Sequence, residues 1–168
     1  MKGKLLFKEE QTFVGTWMWY LVIGISILSV GGTAVGLIYT QNNEGVIGLI
    51  IAAIVTGGII ALFYTSKLYT SIDQDTLYYR YPPFVGSERK ILKEDVKEIY
   101  VRKYKPIREY GGYGYRFRFR SGRALNVSGN EGLQLVLQNN KRILIGTQRP
   151  QEMKQAVRRL KENWGLDG

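Results

Sequence analysis

The chain has 168 residues, 24 Lys and Arg against 14 Asp and Glu, and neither Cys nor His. Disulfides, thiolate and imidazole chemistry, prenylation, palmitoylation and the usual His/Cys zinc sites are therefore excluded. The formal charge of +10 lies wholly on residues 67–168, which carry 21 basic and 11 acidic side chains.

Residues 1–11 read as an N-terminal tail containing Lys2, Lys4 and Lys8. No charged residue occurs from Gln11 to Asn43, and none from Gly45 to Ser66; only Glu44 separates the two stretches. A bilayer core about 30 Å thick needs roughly 20 apolar helical residues, so each stretch is long enough to span. The expected organisation is a transmembrane helix over 12–40, an external turn over 41–45 and a second transmembrane helix over 46–66. The first apolar run is far longer than a signal-peptide core and has no persuasive cleavage site, so it reads as a retained helix. Short basic flanks stay cytoplasmic, and the turn has no positive charge. Both termini are thus expected in the cytoplasm, with the protein integral to the cytoplasmic (inner) membrane. Trp17, Trp19, Tyr20, Phe63, Tyr64 and Tyr69 cluster near the expected inner edges and Tyr39 near the outer, as interfacial aromatics do. Gly32 and Gly36 are four residues apart, as are Ala53, Gly57 and Ala61. Such small-residue stripes let helix backbones approach, either within the hairpin or between copies in a homo-oligomer. The spans hold no ionisable residue, which disfavours an ion or proton pathway; Ser26, Ser29, Thr33 and Thr56 are their notable polar groups.

From Lys67 the pattern changes to short β-rich runs separated by turn residues. These are Leu68–Ile72, Leu77–Tyr81, Arg89–Leu92, Val96–Tyr104, Tyr113–Arg120, Arg123–Val127, Leu133–Leu137 and Arg142–Ile145. Tyr113–Arg120 alternates strictly, which predicts Tyr113, Tyr115, Phe117 and Phe119 on a buried face and Arg116, Arg118 and Arg120 on a wet one. Pro150 suits a first helical turn, and Met153, Ala156, Val157, Leu160 and Trp164 recur at helical spacing up to a Gly165 stop. Lys154, Arg158 and Lys161 line another side of that helix, read as a solvated face or a contact for membrane or partner.

About seven short strands followed by one amphipathic helix is the layout of a pleckstrin-homology-like domain, a mainly-β (α+β) fold. The segments Glu109–Arg116, Leu125–Leu135 and Ile143–Pro150 carry the likeness further. On them the chain resembles the bacterial membrane proteins that join a two-helix transmembrane hairpin to such a domain. The resemblance implies that residues 67–168 form a partly open antiparallel barrel with a C-terminal helix at one end. It implies no activity.

The strongest candidate site is the arginine set Arg116, Arg118, Arg120 and Arg123. Guanidinium forks of this kind grip phosphates through charge-assisted hydrogen bonds. Basic groups beside an anionic leaflet gain about 1 kcal/mol each, so anionic phospholipid headgroups are the expected ligand, with an unidentified protein as the other candidate partner. The same side chains also suit a solvated strand face that blunts a sheet edge. The second candidate is the loop Gly111, Gly112, Tyr113 and Gly114. Its backbone N–H groups suit an anion-binding nest, with Tyr110 and Tyr113 free to stack on a flat ligand. A conformationally demanding strand entry explains the glycines equally well. Arginines and aromatics on opposite faces argue against nucleic-acid binding. The Asn126-Val127-Ser128 sequon lies on the wrong side of the membrane for glycosylation. The carboxylates sit at predicted turns without a nucleophile or a metal-ligand set. The expectation is a non-enzymatic binding or scaffolding module with no catalytic residues, metal or cofactor. The alternative is a subunit of an oligomeric transport or assembly complex packed through Gly32, Gly36, Ala53, Gly57 and Ala61.

Overall fold

A computed structural model describes residues 4–40 and 43–166; Lys2 and the expected turn residues Gln41 and Asn42 lie outside them. The chain divides into two compact units, one made of residues 1–11 with 67–168 and the other of residues 12–66.

The second unit is a helical hairpin, α1 over Trp17–Thr40 and α2 over Asn43–Thr65. Both helices are long and apolar enough to span a membrane, and α2 starts two residues inside the expected turn. Thr16 caps α1: its hydroxyl accepts from the Trp19 N–H at 3.4 Å and donates to the Phe13 carbonyl at 2.6 Å. Ser26 and Thr33 turn their hydroxyls back onto the carbonyls of Val22 and Ser29, at 2.6 and 2.8 Å. Those polar groups are thereby satisfied inside an apolar helix. The helices meet along half-buried residues at heptad-like spacing: Ser26, Val30, Thr33 and Leu37 on α1, with Gly45, Leu49, Ala52, Thr56, Ile60 and Phe63 on α2. The Phe63 ring packs on that of Phe13 with centroids 5.1 Å apart. Gly32, Gly36, Ala53, Gly57 and Ala61 are all exposed. Small residues stand at the contact between the helices: a Cβ built at Gly45 would lie 2.8 Å from the Leu37 side chain, and one at Gly48 3.9 Å from Thr33.

In the other unit, nine described strands form two sheets. The first sheet has the order β1 (Phe7–Thr12), β2 (Lys67–Ile72), β3 (Thr76–Tyr81), β4 (Val85–Leu92). The second has the order β5 (Val96–Lys103), β8 (Glu131–Leu137), β9 (Arg142–Thr147), β7 (Gly122–Asn126), β6 (Gly114–Arg118). Two features depart from the expectation. The N-terminal segment is a strand and not a tail, so the hairpin is an insertion between two adjacent strands of one sheet. The second sheet is also not wholly antiparallel: β9 inserts between β8 and β7 and runs parallel to β7, with Arg123 opposite Ile143 and Leu125 opposite Ile145.

β1 alternates in burial, with Phe7, Glu9 and Gln11 facing inward. Glu9 accepts from the Thr147 hydroxyl at 2.7 Å and the Gln148 N–H at 2.8 Å, and the Gln11 amide donates to the Gly146 carbonyl at 2.7 Å. These bonds join the outer edge of the first sheet to the end of β9. Leu68, Ile72, Leu77, Leu125, Leu133, Leu135 and Ile145 are fully buried, and Leu144, on the opposite face of β9 from Ile145, is buried in a separate cluster with Tyr104, Tyr110 and Ala124. The helix α3 (Pro150–Trp164) covers one side, burying Met153, Ala156, Val157, Leu160 and Trp164 as the periodicity requires. The Trp164 indole N–H donates to the Asp75 carbonyl at 3.1 Å, and Gly165 ends the helix in the left-handed region. On α3's outer face Lys154 pairs with Glu131 at 3.2 Å and Arg158 with Glu162 at 3.4 Å, an exposed, locally neutralised arrangement.

Candidate functional site: a cationic cleft

A cleft of about 990 Å³ is bounded by β3 and β4, the β6–β7 hairpin and the β8–β9 turn. Six basic residues contribute to its lining: Arg89 and Lys90 on β4, Arg120 and Arg123 at the β6–β7 hairpin, and Lys141 and Arg142 at the start of β9; the Lys90 ammonium itself lies over the Tyr78 ring at 5.8 Å, on the other face of β4, and Arg142 shares the face of β9 that carries Leu144. Glu94 and Asp95 are its acidic members, and the Asp95 carboxylate accepts the Leu92 N–H at 3.1 Å. Among the described residues, none of the six cations forms an ion pair with a carboxylate.

Arg123 is the best-held of the set. Its guanidinium lies 5.6 Å from the centroid of the Tyr115 ring, which in turn stacks on Phe84 at 5.8 Å and an interplanar angle of 6°. The Arg123 guanidinium lies beside the buried Tyr79 phenol; burial pushes that phenol up, with Arg123 and then Arg89 opposing the shift. A guanidinium fixed in this way loses little conformational freedom when it grips an anion. Gly122 forms the wall beside it. This residue has φ +82°, and a Cβ built there would lie 2.3 Å from the Arg142 carbonyl oxygen. Only glycine lets β7 approach β9 so closely.

The predicted arginine face is therefore divided. Arg120 and Arg123 enter the cleft; Arg116 and Arg118 do not. The Arg116 Nε donates to the Tyr113 carbonyl at 2.9 Å, and an Arg118 Nη donates to the Arg108 carbonyl at 3.1 Å. The expected buried aromatic face holds only at its start. Tyr115 is half-buried, whereas Phe117 is 69% and Phe119 97% exposed. β6 is an edge strand, and β4 is exposed throughout Gly86–Lys90, so no apolar surface covers the far end of β6.

The glycine loop has a structural explanation. Pro106–Tyr110 makes a single π-helical turn, and Gly111, Gly112 and Gly114 follow at φ +78°, +126° and +105°. Their N–H groups already donate to Ile107 O, Pro106 O and the Asn126 side chain, at 2.9, 3.0 and 2.9 Å. Those three N–H groups are thus engaged within the loop and by Asn126. Tyr110, expected to be free for stacking, is buried against Tyr104 in an edge-to-face pair at 6.1 Å. Arg102 locks the turn from outside, donating to Glu109 at 2.8 Å, Tyr110 OH at 3.3 Å and Gln134 at 3.1 Å. Burial alone would raise the Glu109 carboxyl, but the Arg102 guanidinium and the Lys105 N–H outweigh it and hold the carboxyl below its usual value. Asn126, the sequon residue, is fully buried; its amide donates to the Tyr104 hydroxyl at 3.0 Å and its backbone carbonyl accepts from Tyr81 at 3.2 Å.

No protein-family model matches this chain, and no curated protein matches it. The cleft and its chemistry carry the functional argument.

Arg89, Lys90, Lys141 and Arg142 were not singled out in the sequence. Their signal was present as basic residues at strand ends, but strand order decides which ends meet. β9 inserting beside β7 brings the Arg142 backbone against Gly122, next to Arg123, and sequence periodicity does not encode that insertion.

Proposed function

We propose that this chain is a membrane-anchored, non-enzymatic binding module. Its helical hairpin crosses the bilayer twice, and its β unit presents a cationic cleft on the cytoplasmic side to an anionic group. In this role it recruits a protein or senses anionic lipid at the inner leaflet. The observation that carries the reading is an open cleft lined by six basic residues, with Arg89 and Arg123 both beside Tyr79 and none of the six in an ion pair among the described residues. Structural cations are ordinarily paired or spread over a solvated face. Here six basic residues outnumber two acidic ones, Glu94 and Asp95, and a multiply charged anion gains from several cations at once.

Three features support the anchor. The most apolar window of each hairpin helix is 0% buried, unlike the core helix of a soluble domain. β1 and β2 are neighbours in one sheet, so both ends of the hairpin must emerge on the same side of a bilayer, as two crossings require. Only Ser66 separates α2 from β2 along the chain. Basic flanks and an uncharged turn favour the cytoplasmic orientation. Two sheets with a C-terminal helix favour a pleckstrin-homology-like relationship, from which the parallel β7–β9 pair departs.

The test is calorimetric titration of the purified full-length protein in micelles with glycerol phosphate and with inorganic pyrophosphate. Arg123→Glu should weaken binding at least about tenfold, since it removes one charge-assisted fork and adds a repulsive charge. Arg159→Glu, on the exposed face of α3, should leave it unchanged. Equal effects of the two substitutions contradict the cleft.

A second reading is favoured by one observation. Ala53, Gly57 and Ala61 form an exposed stripe, and a Cβ built at Gly57 meets nothing within 4 Å. That stripe suits assembly of several copies. Crosslinked oligomers in membranes that vanish with Gly57→Leu support it; crosslinking unaffected by Gly57→Leu and Ala53→Leu removes it.

A further inference from the structure

We propose that the tip of the β6–β7 hairpin is a second membrane contact, in which Phe117, Phe119 and Ile107 enter the interface of a bilayer rich in anionic lipid while Arg108, Arg118 and Arg120 hold its phosphates. The inference rests on the anchored-module reading and names the partner surface for the rim of the cleft.

Phe119 is 97%, Phe117 69% and Ile107 73% exposed. Single exposed apolar residues need no explanation, but these lie on two loops that are tied together. The Arg118–Arg108 hydrogen bond at 3.1 Å joins the hairpin to the π-helical turn that carries Ile107. Phe119, Arg108, Arg118 and Arg120 line one shallow depression. The single carboxylate there, Glu109, is engaged by Arg102 and the Lys105 N–H at 2.8 and 2.7 Å. The surface therefore offers apolar rings and cations with no competing free acid. The last ladder pair is Arg118 with Gly122, so the tip projects past the sheet.

This chemistry matches one environment. A phenyl ring sits among glycerol and upper acyl groups, while arginines alternating with it reach the phosphate layer on their long stems. A soluble anion would satisfy the arginines and leave the rings in water. Two rings and three cations bind a bilayer weakly from solution, but covalent attachment to the same membrane makes the contact intramolecular.

The chain lacks cysteine, so a single introduced cysteine gives one labelling position. Ser121→Cys, at the tip, carries an environment-sensitive NBD dye; Arg159→Cys on exposed α3 is the control. Full-length protein is placed in nanodiscs of phosphatidylcholine alone or with three parts in ten phosphatidylglycerol, each with a little spin-labelled lipid. The proposal expects blue-shifted emission at position 121 in the anionic discs and at least about a twofold quenching by the spin label, with neither in neutral discs nor at position 159. Phe117→Ser/Phe119→Ser should abolish the quenching, and so should Arg118→Glu/Arg120→Glu. Solvent-like emission at position 121 in both discs, or quenching that survives the double serine substitution, overturns it. Pyrophosphate binding in those same discs then separates the two readings. If it persists and remains sensitive to Arg123→Glu, the cleft stands and only the membrane contact fails.

Discussion

The pairing of β1 with β2 makes a strong demand: residues before the hairpin must complete the fold of residues after it. The perturbation is Glu9→Ala. It removes the acceptor of the Thr147 hydroxyl, which is 2% exposed, and of the Gln148 N–H. A hydrogen bond to a charged group contributes about 1.5–3 kcal/mol, and a stranded buried donor carries its full desolvation penalty. Thr147 is buried and Gln148 exposed, so the loss should be about 2–4 kcal/mol, with Glu9→Gln costing about half as much because one acceptor survives. Phe7→Ala, at a ring 4% exposed, should cost about 3–5 kcal/mol. Small domains have about 5–15 kcal/mol in total, so either change is large. The assay replaces residues 13–66 with a short Gly-Ser linker. The ends are close enough to join, since Glu10 pairs with Lys67 at 3.0 Å. Removing the hairpin also removes Trp17 and Trp19 and leaves buried Trp164 as the sole tryptophan, so its emission follows urea unfolding cleanly. Residues 67–168 alone should unfold at much lower urea or fail to fold. Matching midpoints for that fragment and the linked chain would refute the reasoning.

Two further outcomes follow from the same packing. Gly122→Ala combines φ +82° with a backbone clash at 2.3 Å, so it should cost at least about 2 kcal/mol and lower the melting temperature by roughly 10 °C. Gly86→Ala, where a Cβ meets nothing within 4 Å, should change it little; equal melting temperatures for the two variants would contradict the close approach of β7 and β9. Burial pushes the Tyr104 phenol up to about 12 against an opposing Asn126 hydrogen bond, and burial raises Tyr81 in the same direction. A phenol with a raised folded pKa contributes stability that is complete below about pH 10 and is lost as pH rises through the folded value. Urea midpoints should thus be flat to about pH 9 and fall steeply by pH 11.5, with Tyr104 accounting for about 3 kcal/mol at the limit. Tyr104→Phe should flatten that fall, and an unchanged slope in the variant would contradict it.

The hairpin was legible because an uncharged run of spanning length is a one-dimensional signal. So was α3, whose five buried residues keep strict helical spacing. β1 was not legible: two of its three inward residues, Glu9 and Gln11, are polar and are tolerated only because β9 supplies their partners. The alternation of β6 predicts a buried aromatic face, but Phe117 and Phe119 are exposed because no apolar surface covers the far end of this edge strand. Half of the arginine set, Arg120 and Arg123, reached the candidate site. The other half of the cleft depends on which strand lies beside β7, a long-range fact set by tertiary packing. The glycine loop was ambiguous in sequence, and the resolution lay in where its N–H groups go.

The central claim is that the hairpin crosses a bilayer and leaves both of its flanks, and the cleft, on the cytoplasmic side. Because the chain has no native cysteine, single cysteines at Leu5, Gln41 and Glu88 can be labelled with a membrane-impermeant maleimide in intact cells and in inverted vesicles. The account predicts that position 41 labels only in intact cells and that positions 5 and 88 label only in inverted vesicles. Labelling of position 41 from the same side as position 88, or of positions 5 and 88 from opposite sides, would contradict it.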